Sequence, residues 1–417
     1  MATEERHVSN LDEPISGKAI GRPPNRRIVS IAVTVLGLGV IVLGSFQSWT
    51  LATLFGIGCV LGLGLYHTHY GFTSSFRHFL LDRRSAGLRA QMLMILIANM
   101  LFLPLLIRGE VLGHRVTGYV FPVGLAVVAG AFLFGIGMQL ADACASGTLY
   151  HTGGGDRRGI LTIGGFVLGS VLGSVNFPWW MRTPHLPAIS FIESLGIVGG
   201  GLLQLLIVGT IFLAVWWLER MQHGQVQALF NGGPGRRVDG RRYWTPVLQG
   251  PWSWVTGSVI LAFGNFLVLM LSGKPWGITF AYALWGAKIA EGLGFQVTHW
   301  AYWQIPANAH ALHQSIFHDV TTVLDFGVIV GALLGAGLAG GLLQMSLKQL
   351  PRRLLVSVFL GGIMMGYGAR IAFGCNIGAY FSGVASFSLH GWLWLFSAML
   401  GSALGVRLRP IFGLVNC

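Results

Sequence analysis

Two cysteines stand at matching points of two similar stretches, and their thiols are the groups best suited to chemistry. Cys144 lies within AFLFGIGMQLADACASG, and Cys375 lies within GIMMGYGARIAFGCNIG. A thiol is a weak hydrogen-bond donor and a soft, polarisable contact. It suits sulfur atoms or soft metals better than hard oxyanions or alkali ions. The pattern therefore favours a path or site for a soft ligand.

The two stretches form an internal repeat whose cysteines are 231 positions apart. At this offset, glycines of the first stretch align with glycines of the second: Gly130 with Gly361, Gly135 with Gly366, Gly137 with Gly368 and Gly147 with Gly378. At an offset one position longer, the segment GSVLG that begins at Gly169 aligns with GSALG, which begins at Gly401. We therefore predict a duplicated half and structural roles for the motif glycines, which suit close helix packing and broken helices in membranes.

Other polar residues in apolar stretches are candidates for the substrate pathway. Arg370 either attracts an anion or pairs with Asp142, and Ser146 and Asn376 either contact substrate or satisfy backbone groups. Asp142 is also our candidate for a proton carrier. Cys59 stands alone in an apolar run. We interpret it as a packing residue, because free cysteine behaves as a small hydrophobic residue.

The segment 295–319 is rich in histidine, with His299, His310, His313 and His318. A metal site is conceivable there, but the neighbouring Trp300, Tyr302 and Trp303 favour an interfacial aromatic belt. Lys288 and Glu291, three positions apart, predict an ion pair on one helix face. The sequence lacks a GxxxxGK[ST] nucleotide loop, and we predict no metal, no cofactor and no enzymatic activity.

The composition is that of a multi-spanning membrane protein. Hydrophobic residues make up 53% of the 417 residues and charged residues only 10%, against about 25% charged in soluble domains. The net charge of +13 is scattered among connections between apolar runs, so membrane topology explains it better than nucleic-acid binding.

Apolar runs long enough to cross a bilayer predict ten helices: 29–47, 50–66, 87–107, 119–140, 159–176, 193–218, 252–271, 320–343, 354–371 and 390–408. Shorter apolar pieces at 71–82, 141–152, 275–294 and 373–384 predict re-entrant half-helices, which need protein or a water-lined path around them. The domains expected are a polar tail (1–28), a first membrane half (29–218), a basic linker (219–250) and a second half (251–417).

The distribution of Lys and Arg indicates the orientation of the halves. With the tail inside, the even-numbered connections are the basic ones, as the positive-inside rule requires, and both termini are cytoplasmic. The Cys144 segment then enters from the cytoplasm and the Cys375 segment from outside. We therefore predict an all-α inverted repeat, with the working site near the midplane.

The two cysteine motifs, together with the earlier YGFTSSFR from Tyr70, resemble the YeeE/YedE family of sulfur transporters over about 50–176 and 252–408. The resemblance implies an hourglass-like, pseudo-twofold protein that takes up thiosulfate across the bacterial inner membrane. It also implies that Cys144 and Cys375 pass the anion along by transient S–H···S contacts, with a small cytoplasmic sulfur-carrier protein as partner.

The chain departs from that family's pattern in its early motif. Members that take up thiosulfate commonly carry a third cysteine there, whereas this sequence has Thr73, Ser74 and Ser75. Either one of these hydroxyls substitutes, or the substrate is a selenium or another sulfur species. A soft-metal permease, a redox protein with a Cys144–Cys375 disulfide, and a membrane scaffold are the remaining alternatives.

Overall fold

The computed structural model describes residues 23–230, 248–342 and 350–416. Most of the predicted tail and the centre of the predicted linker lie outside these residues. In the described part, ten helical segments are long and apolar enough to cross a membrane, which confirms the predicted number. The chain is an all-α polytopic membrane protein.

Eight helices lie between residues 23 and 230, and each long one coincides with an apolar run of spanning length. Their bounds are α1 Arg26–Phe46, α2 Trp49–Thr68, α3 Phe72–Asp82, α4 Ala86–Arg108, α5 Leu125–Leu140, α6 Ala145–Gly153, α7 Arg158–Met181 and α8 Phe191–His223. Helices α3 and α6 are the short elements predicted at 71–82 and 141–152. Both are too short to cross a bilayer of about 30 Å at 1.5 Å per residue.

The helices after residue 250 repeat the order of α2 to α7, with two small helices added in the histidine-rich segment. They are α9 Trp254–Ser272, α10 Thr279–Gly292, α11 Ala301–Gln304, α12 Pro306–His313, α13 Val320–Leu338, α14 Arg352–Ile371, α15 Gly383–Ala385 and α16 Leu389–Leu408. A π-helix, Asn376–Ser382, leads directly into α15. The short α10 and the π-helix correspond to the predictions at 275–294 and 373–384.

Short strands replace helix at one predicted boundary. The fourth span was expected from residue 119, but α5 begins at Leu125, because Pro122–Gly124 (β3) pairs antiparallel with His185–Ala188 (β4). Proline lacks the N–H that a helix interior needs. A second ribbon joins Glu110–Val111 (β1) to His114–Arg115 (β2).

The helices that precede the two cysteines cross each other through motif glycines. A side chain on Gly130 would collide with the Gly368 carbonyl, and one on Gly361 would collide with the Gly137 carbonyl. This register runs α5 and α14 antiparallel. Small residues at such crossings let helix backbones approach closely.

The flanking helices repeat the same contacts in both halves. Gly135 of α5 packs against the backbone of α16 at Ala398, and its counterpart Gly366 of α14 packs against the backbone of α7 at Phe166. Gly137 and Gly368 lie in the central crossing. These four motif glycines therefore have the close-packing surroundings expected of structural positions.

Candidate functional site

The thiol of Cys144 lies at the start of the short helix α6. Cys144 is the N-cap residue, and its Sγ accepts a hydrogen bond from the Gly147 N–H at 3.4 Å. The Ser146 hydroxyl lies 3.3 Å from the same sulfur. Only 2% of Cys144 is exposed. The first helical N–H groups carry partial positive charge, so this end of α6 favours an electron-rich ligand.

Cys375 occupies the equivalent position before the π-helix, and 1% of it is exposed. Unlike that of Cys144, its side chain accepts no cap hydrogen bond from the described residues. Gly147 and Gly378 each stand three positions after their cysteine. A π-helix is uncommon and frequently marks a functional segment.

Tyr282 of α10 connects the surroundings of the two thiols. It lies within electrostatic interaction range of both Cys144 and Cys375, and the thiols are within that range of each other. Its hydroxyl is buried and has no hydrogen-bond partner in the described part of the chain. An unsatisfied buried hydroxyl costs free energy, so Tyr282 is a candidate ligand contact that our sequence reasoning missed.

Several further buried polar groups of the short segments have no partner among the described residues. They are Oγ1 of Thr73, Nε1 of Trp276, both side-chain polar atoms of Asn376 and the hydroxyl of Tyr380. Apart from Oδ1 of Asn376, which accepts, all of these atoms can donate a hydrogen bond. Buried polar groups in native proteins are nearly always satisfied by protein, water or ligand, and donors of this kind suit an anion.

The hydroxyls of the early motif are not equivalent. Ser74 and Ser75 donate to the Gly71 carbonyl at 3.2 and 2.5 Å, within the first turn of α3. The Thr73 hydroxyl has no such partner among the described residues. The backbone carbonyl of Thr73 accepts a hydrogen bond from Nε2 of Gln139 at 3.2 Å, and this bond connects α3 to α5. Of the three candidates for the missing cysteine, Thr73 is therefore the one with a free donor.

Arg370 does not pair with Asp142, so that alternative is wrong. Its guanidinium donates to the Tyr302 hydroxyl and, at 2.8 Å, to the Thr279 carbonyl. It also lies over the Tyr302 ring, 4.9 Å from the ring centre. Tyr302 and Trp303 are buried, because they pack against α10. Such burial does not suit the interfacial aromatic belt that the sequence analysis favoured for these two residues.

Asp142 instead forms an ion cluster with two arginines from distant parts of the chain. Arg77 of α3 donates to its carboxylate at 2.5 Å and Arg409, after α16, donates at 2.9 Å. Arg409 is fully buried. The sequence analysis counted such arginines only as loop charges and missed this pairing. The cluster ties α3 and the end of α16 to the segment just before Cys144.

We expect Asp142→Asn to destabilise the protein. The substitution leaves the buried Arg409 without its carboxylate, and breaking a buried ion pair costs about 3–5 kcal/mol, with the lower end expected here because Asp142 is partly exposed. Thermal unfolding of the detergent-solubilised protein measures the loss.

Glu291→Gln is the matched control for Asp142→Asn. It breaks the partly exposed Lys288–Glu291 pair, whose 3.9 Å contact on one helix face confirms that prediction. An exposed pair contributes about 0–1 kcal/mol. Equal, small losses from both substitutions would contradict a structural role for the Asp142 cluster.

The histidine-rich segment does not gather metal ligands. No group of three or more His, Cys, Asp or Glu side chains is placed to hold a metal within the described residues. The Nε2 of His310 lies 3.2 Å from the Gln314 amide. Asp319, at the end of this segment, caps α13 by accepting from Thr322 at 2.8 Å, and burial raises the pKa of its carboxyl.

Comparisons with known proteins relate the chain to proteins named as transporters. The chain is 27% identical over 287 residues to "Thiosulfate transporter TsuA" of Spirochaeta thermophila, covering 66% of this chain and 74% of that protein. It is 21% identical over 356 residues to TsuA of Escherichia coli, covering 82% and 90%. It is 30% identical to "Probable transporter YedE" of Salmonella typhimurium over 166 residues, 38% of this chain and 39% of that protein.

The matched stretch spans less than half the length of the YedE protein. The profile described as "Sulphur transport" matches residues 67–404, which include both cysteine motifs and the early motif. The chain belongs to this sulphur-transport family, the YeeE/YedE family that its motifs resemble.

Proposed function

We propose that the protein takes up thiosulfate, or a closely related sulfur anion, across the bacterial inner membrane. The observation that carries this proposal is the pair of buried thiols, each beginning a short helix at the same point of a repeat. Thiosulfate combines a soft terminal sulfur with negative charge. It therefore matches both the thiols and the positive helix ends.

The thiols and hydroxyls form the proposed path. The anion enters near Cys375, passes the Tyr282 hydroxyl and leaves past Cys144, making transient S–H···S contacts with each thiol. Support comes from the position of Tyr282 within interaction range of both cysteines. Thr73 supplies a hydroxyl donor where some relatives have cysteine. Ser146 and Asn376 flank the thiols, and we propose that their side chains contact the passing anion.

An inverted arrangement of the two halves underlies this path. The antiparallel crossing of α5 and α14 through Gly130 and Gly368 supports this arrangement. In an inverted repeat, equivalent helices run in opposite directions. The two cysteine segments then approach the midplane from opposite faces. Arg370 and Asp142, held by their own partners, act as charges beside the path.

Uptake of a dianion needs a source of energy. At about 2.3 kcal/mol per charge per 100 mV, two negative charges entering a cell that is negative inside cost about 4–5 kcal/mol. A co-transported cation or rapid cytoplasmic consumption meets this cost. We propose that a small cytoplasmic sulfur-carrier protein receives the sulfur, as the family resemblance implies.

Growth on thiosulfate as the sole sulfur source tests the proposal. The host is a bacterium that lacks its own sulfate and thiosulfate importers, and it receives this chain or an empty vector. We expect growth only with the chain. Absence of growth with well-expressed protein would contradict thiosulfate uptake, and uptake assays with selenium and other sulfur anions would then identify the substrate.

A further inference from the structure

A single carboxyl group lies deep within one of the long helices. Asp325 is the only charged residue of α13, whose sequence is VTTVLDFGVIVGALLGAGL. It is fully buried, and neither carboxylate oxygen has a hydrogen-bond partner within the described residues. Ionisable residues inside membrane helices are costly and usually functional. This carboxyl plays no part in the thiol path described above.

The backbone packing around Asp325 excludes water from one side. A side chain on Gly58 of α2 would collide with the Leu324 carbonyl, and one on Gly327 would collide with the Phe55 carbonyl. On another side, Trp285 of α10 donates to the Thr322 hydroxyl at 3.2 Å. Asp325 therefore lies between two closely packed helices, where an uncompensated negative charge is strongly disfavoured.

Among the described residues, the titratable groups that neighbour Asp325 provide no positive charge near it. Tyr282 of α10 and Cys375 lie within range of electrostatic interaction with the carboxyl. Asp319, the N-cap residue of α13, is the charged group within that range. The other helices packed on α13 present Cys59 and Tyr66 from α2, Tyr150 and His151 from α6, and His318 just before Asp319.

The cations of the packed helices lie further off. Lys288 of α10 pairs with Glu291, two turns beyond Tyr282. Arg26 and Arg27 begin α1, which meets α13 at Gly337, about three turns beyond Asp325. A proton is therefore the cation best suited to neutralise this carboxyl, because Na⁺ would need several more oxygen ligands.

We propose that Asp325 carries the proton that accompanies the sulfur anion into the cell. The proposal rests on the function proposed above and names its coupling ion. The carboxylate takes a proton from the outer solution while the anion lies near Cys375 and Tyr282, and it releases that proton to the cytoplasm. Each proton cancels one of the two entering charges, which raises the attainable accumulation about 50-fold at 100 mV.

Purified full-length protein in liposomes that contain a pH-sensitive dye tests this role. Thiosulfate added outside is expected to acidify the lumen as it enters. In Asp325→Asn, whose amide mimics the neutral carboxyl, acidification is expected to fall at least about tenfold, while exchange of labelled for unlabelled thiosulfate stays within about threefold of wild type. Glu291→Gln, the same chemical change in a partly exposed ion pair, is expected to retain both signals.

The outcomes separate the two proposals. Thiosulfate entry by the unaltered protein without acidification would overturn the proton role and leave the transport function standing. No entry would overturn the transport function itself. Acidification that persists in Asp325→Asn, or entry that depends on Na⁺ rather than on protons, would also overturn the role of Asp325. If Asp325→Asn does not fold, Asp325→Glu provides the variant, with coupling expected to persist and its pH dependence to shift.

Discussion

Replacing either Cys144 or Cys375 with alanine is expected to lower thiosulfate uptake about 10- to 100-fold, which corresponds to the loss of one hydrogen bond to a charged ligand. Both thiols are buried at the starts of equivalent short helices. Cys59, the other cysteine in the described part of the chain, lies in α2. Alanine lacks the Sγ atom and therefore cannot make the sulfur contact. Uptake of labelled thiosulfate by cells at matched membrane expression measures the change.

Cys59→Ala is the control for the two thiol variants. Cys59 is also buried, but it lies in the middle of α2, at its crossing with α13, where its backbone packs against Gly331. Its substitution removes a thiol of similar burial away from the proposed path, so uptake is expected to stay near the wild-type rate. Uptake that survives both path substitutions would contradict the relay.

Leucine at Gly366 is expected to prevent correct folding. Gly366 faces the α7 backbone at Phe166 and Ser170, so any side chain would force the α7–α14 crossing apart. Overpacking typically costs about 1–3 kcal/mol and can exceed this where only backbone stands in the way. The yield of monodisperse protein after detergent extraction is expected to fall to a small fraction of wild type.

Gly164→Leu provides the comparison for this packing prediction. Gly164 lies on α7, the other helix of the same crossing, but in the described part of the chain no atom beyond its own helix turn lies within 4 Å of the position that its Cβ would take. We expect wild-type yield, because leucine also favours helix over glycine. Similar yields for Gly366→Leu and Gly164→Leu would show that the motif glycine is not required for close packing.

The helices could be predicted from the sequence because bilayer thickness fixes the length of an apolar run. The short segments were equally visible, because α3, α6 and α10 each stand between longer apolar runs. Boundaries were less predictable. The start of α5 depends on the pairing of β3 with β4, a contact between residues far apart in the chain.

The cysteines of the candidate site could be found from the repeat, whereas its hydroxyls could not. Tyr282 and Tyr380 resemble ordinary aromatic residues of apolar helices, and only the three-dimensional arrangement shows that their hydroxyls lack partners among the residues the structure describes. Asp325 did carry a signal, since a lone acidic residue in an apolar run is a functional candidate. The sequence analysis did not use that signal.

Ion pairing was the least predictable feature. Asp142 and Arg370 are both near a cysteine in the sequence, but in the structure each has other partners. Arg77 and Arg409 reach Asp142 because α3 and the end of α16 meet there. Which helix ends meet depends on the tertiary packing, and the sequence pattern contains no record of it.

The most direct test of the account is the flux of labelled thiosulfate into liposomes that contain only the purified protein. We predict saturable entry that unlabelled thiosulfate inhibits and sulfate does not, because sulfate lacks the soft terminal sulfur. The same preparation carrying both Cys144→Ala and Cys375→Ala should show only the leak of empty liposomes. Entry at the wild-type rate in that double variant, or equal inhibition by sulfate, would contradict sulfur-anion transport through paired thiols.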